Sequence, residues 1–346
     1  MFDYPGVIHV HSTYSDGSAC YDGISRAAAK AGVKFLMIND HDTLGELHKK
    51  GERYINGVLM LIGAEISPPT NHFICYDVKN LPNNKMMPND YIKNINQQGG
   101  FGFLAHPDHR ANKYFQPQSM GWNEWENLSH HFGIELWNYF TQWTNRASSF
   151  VNLIKAIFNP AWCLQEPCEK VKSGWDKLAQ KRRVPVIAGV DAHGGRQLGW
   201  FPSILSSYVK QFSTLRTHVL TTNQLTGNEI EDRNMVLDAL RNGRSYLLNY
   251  TAGKVENFKF TAIYKDKSWH MGDELKWHKG IKITSRLPKG SHARIIKDGK
   301  TIYQTNEKII NIPVKKPGVY RMEVFRKRGR CLIPWIYTNH IYIRTV

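Results

Sequence analysis

Histidines and carboxylates recur at the ends of short apolar runs, and that placement constrains this chain more than any other feature. His9 and His11 close the run Val7–His11, and a spacing of two puts both side chains on one face of a strand. Asp16 follows in Ser15-Asp16-Gly17, and His41 follows Lys34–Asn39 in Asn39-Asp40-His41-Asp42. Glu65 ends Leu59–Ile66, His72 opens His72–Val78, and His106 follows the run from Phe101. Asp191 and His193 end Val184–Asp191, again two apart. In a barrel of parallel strands, active sites form at the C-terminal ends of the strands. Singly, each residue has a plain reading. Asp16 before Gly17 suits a turn, Asp40 and Asp42 suit helix N-caps, and a lone His9 or His72 suits a packed core. Together, His, Asp and Glu at one pole are a natural ligand set for zinc or manganese.

The runs alternate with amphipathic stretches such as Asp22–Ala31 and Leu44–Tyr54. Repeated strand-then-helix order predicts a parallel α/β sheet or barrel. Residues 145–182 read as a helical insertion broken at Asn159-Pro160, and a last helix, Glu229–Asn242, stops at Gly243. After about residue 252 the pattern changes. Ile295–Ile302 straddles the hairpin pair Asp298-Gly299, Pro317-Gly318 marks a turn, and Ile336–Ile343 reads as a final strand. A barrel over 1–251 and a small all-β, sandwich-like domain over 252–346 are expected. Charge shifts at the same place. Residues 252–346 hold 21 Lys+Arg against 7 Asp+Glu, whereas 1–251 hold 25 against 22. A basic β domain suits either a solvated face or contact with a polyanion.

With 41% hydrophobic residues the chain can bury full cores. No run approaches the ~18 apolar residues of a membrane span, and the start Met1-Phe2-Asp3-Tyr4-Pro5 lacks a signal-peptide pattern. Five scattered cysteines fit reduced thiols, hence a cytoplasmic setting. Cys163 and Cys168 are a weaker candidate zinc pair.

The ordered set His9-Val-His11, Ser15-Asp16-Gly17, Asp40-His41, Gly63-Ala-Glu65, His72, His106-Pro107 and Asp191-Ala-His193-Gly194 resembles the PHP (polymerase and histidinol phosphatase) family. The resemblance spans residues 9 to 194. It implies a distorted TIM-like barrel of seven strand–helix units, a (β/α)7 barrel. It also implies two or three divalent ions (zinc, manganese or iron). His9, His11, Glu65 and Asp191 would hold the first. Glu65 would bridge to a second, completed by His72 and His106. Asp16, His41 and His193 would hold a third. Glu135 falls in a recurrent family strand and is expected behind the ligands or facing substrate. Some longer members, including aryl-carbamate hydrolases, look similar in carrying a β domain after the barrel.

The implied chemistry is hydrolysis of a small phosphomonoester or nucleotide-type phosphodiester by a hydroxide bridging two metals. Glu65 and Asp191 would be central to it. Arg110 and Arg196, shortly after His106 and His193, would read the phosphate. His109 suits an exposed loop better than an acid. The same metals would serve a carboxylic ester, amide or carbamate, and aromatics at Tyr114, Trp122, Trp125, Trp137, Tyr139 and Trp143 suit either an aryl pocket or core. A non-catalytic polyanion-binding protein is the third reading. Oligomeric state and natural substrate are not encoded legibly.

Overall fold

The computed structural model describes residues 1–45, 47–123, 125–195 and 207–345. Arg196 therefore lies outside the described residues. In chain order come β1 (Phe2–Val10), α1 (Tyr21–Lys30), β2 (Phe35–His41), α2 (Leu47–Lys50), β3 (Arg53–Ile55), β4 (Val58–Ile66), β5 (Phe73–Tyr76), α3 (Pro88–Gln97), β6 (Phe101–Leu104) and β7 (Gly133–Asn138). Then follow α4 (Tyr139–Arg146), α5 (Phe150–Phe158), α6 (Pro160–Cys163), α7 (Glu169–Lys181), β8 (Val186–Gly189), α8 (Tyr208–Gln211), β9 (Leu215–Thr221), α9 (Glu229–Arg241) and β10 (Ser245–Asn249).

Strands β1, β2, β4, β5, β6, β7 and β8 lie side by side in that order. The segment after β8 then returns to β1. Val10 bridges to Ala192 in parallel, Val190 N donates to Ile8 O (3.0 Å), and His11 N donates to Ala192 O (2.9 Å). The ring closes there, at the level of the first two histidines. All neighbouring pairs are parallel except those of β5, which runs antiparallel to both β4 and β6.

Alternation divides each strand between two cores. Phe35, Met37, Leu59, Leu61, Phe101 and Phe103 share one cluster with Val236 and Leu240 of α9. Their neighbours Leu36, Ile38, Met60 and Ile62 pack with α1 and α3 side chains such as Ile24 and Ile92. Strands buried on both faces need continuous apolar runs, and these have them. Gly6 shows how tightly the layers meet, since a Cβ there would sit 1.9 Å from the Phe35 ring.

Four expectations need correction. The helix expected over Leu44–Tyr54 is only the single turn α2, because Gly51 takes φ +70° and ends it. Tyr54 then pairs with Leu59 in a hairpin turning at Asn56-Gly57, both with positive φ. The strand–helix alternation is incomplete, since β4 leads to antiparallel β5 without a helix. Strands β9 and β10 were not foreseen, and they extend the sheet antiparallel from the other edge of β1. The single last strand is two. Asn339-His340 interrupts it because Asn339 turns its side chain to the barrel, accepting from Val186 N (2.8 Å) and donating to Val186 O (2.9 Å) and Ser245 O (3.1 Å).

After β10 the described residues form strands only: β11 (Phe260–Tyr264), β12 (Lys267–Trp269), β13 (Glu274–Lys276), β14 (Lys282–Arg286), β15 (Ser291–Lys297), β16 (Lys300–Thr305), β17 (Ile309–Pro313), β18 (Gly318–Arg328), β19 (Cys331–Thr338) and β20 (Ile341–Arg344). The β15–β16 hairpin turns at Asp298-Gly299, as read from sequence. One sheet orders β12-β11-β14-β17, while β18, β19 and β20 continue the barrel's sheet through the β10–β19 pairing. Composition breaks near 251, but hydrogen bonding runs straight across.

A buried ion cluster joins α7 to these strands. Arg321 donates to both oxygens of Asp176 (2.8 Å each) and to Glu323 (2.6 Å), and His340 Nε2 lies 2.9 Å from Asp176. No described helix is long and apolar enough to cross a membrane, and all five cysteines are free thiols.

Candidate metal centre

The ring's C-terminal pole collects the residues singled out from sequence. β1 delivers His9 and His11, β2 His41 and β4 Glu65. His72 precedes β5, His106 follows β6, and Asp191 and His193 follow β8. Chain reversal at this pole is abrupt. His9 (φ +66°), His106 (φ +30°) and Asp191 (φ +53°) all take left-handed backbone. Each such residue costs about 1–3 kcal/mol, a strain that clusters at functional sites. Four candidate ion-holding groups result: His9, His11 and Asp191; His9, Glu65 and His106; His41, Glu65 and His72; and His11, Asp16, His41 and His193.

Around Glu65 Oε2 and Asp191 Oδ1, the ring nitrogens of His9 and His11 are spaced as ion ligands would be. His9 Nε2 and His11 Nε2 lie 3.3 and 3.5 Å from Glu65 Oε2, and 3.5 and 3.3 Å from Asp191 Oδ1. A tetrahedral ion with bonds of about 2.1 Å sets its ligands about 3.4 Å apart. Both nitrogens are buried without a hydrogen-bond partner, which costs roughly 1–3 kcal/mol per group unless something else satisfies them. The other oxygen, Glu65 Oε1, faces His72 Nδ1 (3.0 Å) and His106 Nε2 (2.9 Å). Asp16 Oδ2 faces His193 Nε2 (3.3 Å) and His41 Nε2 (3.7 Å), and its Oδ1 lies 3.6 Å from His11 Nδ1. His11 thus stands between two groups. Asp16, its side chain 46% exposed, and His41, 29% exposed, form the open edge of the cluster.

The electrostatics have one direction. Burial would raise the carboxyls of Glu65 and Asp191, but His9 foremost among the neighbouring histidines holds both well below the usual range. Burial also works against the charged form of His41, yet Glu65 and Asp16 lift it to about 11. His11, buried beside His193, falls to about 3. Ionised carboxylates thus force protons onto particular histidines. Divalent cations would satisfy the same charge and displace those protons.

Supporting residues fix the ligands. Glu135 Oε1 is 2.9 Å from His9 Nδ1, and its Oε2 accepts from His106 N (2.6 Å) and Asn138 Nδ2 (2.9 Å). Glu135 therefore stands behind the ligands and aims His9 Nε2 inward. Ser67 Oγ lies 2.6 Å from His41 Nδ1. Asp40 is no helix cap. It accepts from Ser12 N, Ser12 Oγ and Ser15 Oγ (2.7 Å each) and so pins the loop bearing Asp16. Asp42 likewise accepts from Ser67 N and Asn84 Nδ2. His109 is not an exposed loop residue. It is 2% exposed, its ring lies 5.8 Å from that of His106, and its Nδ1 accepts from Met120 N. Arg110 is exposed on the loop beyond His106, with its backbone N bound to Asn145. Cys163 is buried, its thiol pushed up to about 12, and it belongs to no candidate metal group among the described residues.

Gly189 makes the support testable. A Cβ at this position would sit 1.7 Å from Glu135 Oε1. Gly189→Ala and Glu135→Gln are both expected to weaken metal affinity about 10- to 100-fold, measured by competition with a chromophoric chelator. Unchanged affinity in both variants would remove Glu135 from the centre.

Fold and site together give a candidate metal centre at the pole of a closed, mostly parallel strand ring. No family model matches the chain. It is 41% identical over 63 residues to a phosphoribosyl 1,2-cyclic phosphate 1,2-diphosphodiesterase of Eggerthella lenta, a match covering 17% of this chain and 23% of that protein. The chain thus matches less than a quarter of that relative's length. A solved two-domain structure from Bacteroides vulgatus, described as containing a predicted PHP-like metal-dependent phosphoesterase, aligns over 98% of this chain and 95% of its own, at 15% identity and TM-score 0.43. Its ordered motifs resemble the PHP pattern, and the structure gathers the residues of those motifs into candidate ion-holding groups.

Proposed function

We propose that the protein is a metal-dependent phosphoesterase of the PHP type, acting on a phosphodiester or small phosphomonoester. The observation that carries the reading is Glu65, whose Oε2 faces His9, His11 and His41 while its Oε1 faces His72 and His106. That is the arrangement of a carboxylate bridging two ions. On this reading the ring is a distorted seven-strand barrel domain, 1–251, that carries the chemistry, and 252–346 is the appended basic β domain. The nine ligands are His9, His11, Asp16, His41, Glu65, His72, His106, Asp191 and His193, taking up zinc, manganese or iron. Bound ions would acidify water to hydroxide near neutral pH and neutralise charge on phosphoryl oxygens.

The chain's own residues do the rest. Glu135 holds His9 in one orientation, Asp40 holds the Asp16 loop, and the buried walls keep bulk water from Glu65 and Asp191. On this reading Arg110, exposed on the loop beyond His106, would meet an incoming phosphate. Similarity to a cyclic-phosphate diesterase favours phosphorus over carbon as the target. The aryl-pocket argument for a carbamate loses support, because Trp122, Trp125, Trp137, Tyr139 and Trp143 are buried in the main core.

The test is elemental analysis together with hydrolysis of bis(p-nitrophenyl) phosphate and p-nitrophenyl phosphate. At least two equivalents of divalent metal and turnover abolished by Asp191→Asn are expected. Less than one equivalent, or turnover indifferent to Asp191, would sink the proposal. Chelation is also expected to lower the melting temperature, since a ligand at a hundred times its Kd stabilises by about 2.7 kcal/mol. Calorimetry of metal-loaded and stripped protein measures this.

A further inference from the structure

The hairpin joining β18 to β19 is the barest cationic projection of the β domain. Residues 327–332, Lys327-Arg328-Gly329-Arg330-Cys331-Leu332, are all exposed. The stretch contains no acid, and Lys327, Arg328 and Arg330 form no ion pair among the described residues. Arg328 pairs with Cys331 around a two-residue turn in which Gly329 takes φ +59°. Lys327 N donates to Gly290 O (2.8 Å), bringing the exposed Lys289 alongside. The base of the hairpin is anchored. Arg326 donates to Ala252 O and covers the Trp335 ring at 5.3 Å, while Trp335 Nε1 donates to Gly253 O (2.8 Å). Four charges held out on an anchored hairpin are not needed to hold the domain together.

Strand register shows where the tip stands. Gly6 pairs with Thr217, Leu215 with Asn249, and Leu248 with Ile336. β1, β9, β10 and β19 alternate in direction, so the start of β19, and the tip with it, lies at the end of the sheet where β1 delivers His9 and His11. The tip therefore stands at the pole of the metal ligands, not at the opposite end of the ring. Three or four strand steps of about 4.8 Å separate β1 from β19 and β18, a lateral span of roughly 14–19 Å. At the spacing of about 3.4 Å per nucleotide in a stacked strand, that is about four to six nucleotides.

We propose that this hairpin binds the phosphate backbone of a single-stranded oligonucleotide whose scissile phosphodiester lies at the metal centre. The inference rests on the phosphodiester reading for the choice of substrate. It names the substrate class as a polymeric phosphodiester. A small phosphoester filling the centre would not reach the hairpin.

The test compares the full-length metal-loaded protein with the variant Lys327→Ala/Arg328→Ala/Arg330→Ala, checked for an unchanged melting temperature. Binding of a fluorescein-labelled ten-nucleotide single-stranded DNA is followed by anisotropy. Cleavage of that DNA and of bis(p-nitrophenyl) phosphate is measured in parallel. The variant is expected to bind the DNA about tenfold or more weaker, and its log–log salt slope should fall by about 2, from ~0.7 per lost phosphate contact. Its kcat/KM should fall on the DNA and hold on bis(p-nitrophenyl) phosphate. Equal DNA binding by the two proteins overturns the proposal, as does an equal loss on both substrates. So does hairpin-dependent binding of anionic phospholipid vesicles with DNA binding unchanged. If neither diester is cleaved, the hydrolase reading fails, and the anisotropy comparison still decides the hairpin assignment.

Discussion

Glu65→Gln is expected to strip the centre of at least one equivalent of metal and to lower phosphodiester turnover by at least about a hundredfold, since Lewis-acid stabilisation by a bound metal is worth several kcal/mol at ~1.4 kcal/mol per tenfold. The reason is charge and geometry together. Glutamine keeps the shape but loses the negative charge that His9, His72 and His41 face. Its amide nitrogen turns a donor toward nitrogens that need an acceptor or an ion. Glu65 is 1% exposed, so solvent cannot compensate. Metal analysis and turnover should fall together. Full metal content with intact turnover would mean that Glu65 is a structural acid and that the centre is organised elsewhere.

The second large effect concerns Arg321. With Asp176, Glu323 and His340 it forms a cluster in which every member is about 3% exposed or less. Arg321→Met leaves buried Asp176 without its arginine and Glu323 with only the more distant Lys172 (3.7 Å) and Arg294 (3.9 Å), a loss of about 3–5 kcal/mol. At ~2–4 °C per kcal/mol for a domain of this size, the melting temperature should drop by about 10 °C. Adding Asp176→Asn and Glu323→Gln to Arg321→Met removes the stranded charges and should recover part of the drop. No recovery would show that Arg321 acts by packing alone. The same cluster gives a pH dependence. Burial would raise the Asp176 carboxyl, but hydrogen bonds from Arg321 and His340 hold it well below the usual carboxylate range. A depressed folded-state pKa contributes stability above the unfolded value, about 3.9, and that stability is lost as pH falls below it. Wild-type melting temperature should therefore fall more steeply than that of Arg321→Met between about pH 5 and 3.

Much of the candidate centre was legible because its histidines and carboxylates sit at strand ends, where a period of two fixes which side chains share a face. His9 with His11, and Asp191 with His193, declare themselves that way. Glu135 could be placed in a strand, but only the fold shows that it stands behind His9. Asp40 looked like a helix cap because sequence distance says nothing about the Ser12–Ser15 loop that it binds. His109 looked exposed because nothing local signals that Met120 would close over it. Strand β9 is masked because Arg216, Thr217 and His218 break its apolar run, and the identity of β9 and β10 depends on pairing with β1 and β19. The Asn56-Gly57 hairpin was signalled, but the amphipathic stretch before it masked the turn.

Asn339 carries a consequence for how this molecule is made. Val186 opens the barrel's last stave, and both its backbone groups are satisfied by the side chain of a residue 153 positions later. β10, in turn, finds its outer partner in β19. During vectorial synthesis the barrel's ligand-bearing residues all emerge early, yet its bottom rim and the flank of β10 stay unpaired until nearly the whole chain has left the ribosome. Unpaired strand edges invite association with other chains. A ribosome stalled near residue 250 would therefore present every candidate metal ligand on a sheet that is still sticky, so that, on the proposed reading, metal capture would precede completion of the fold.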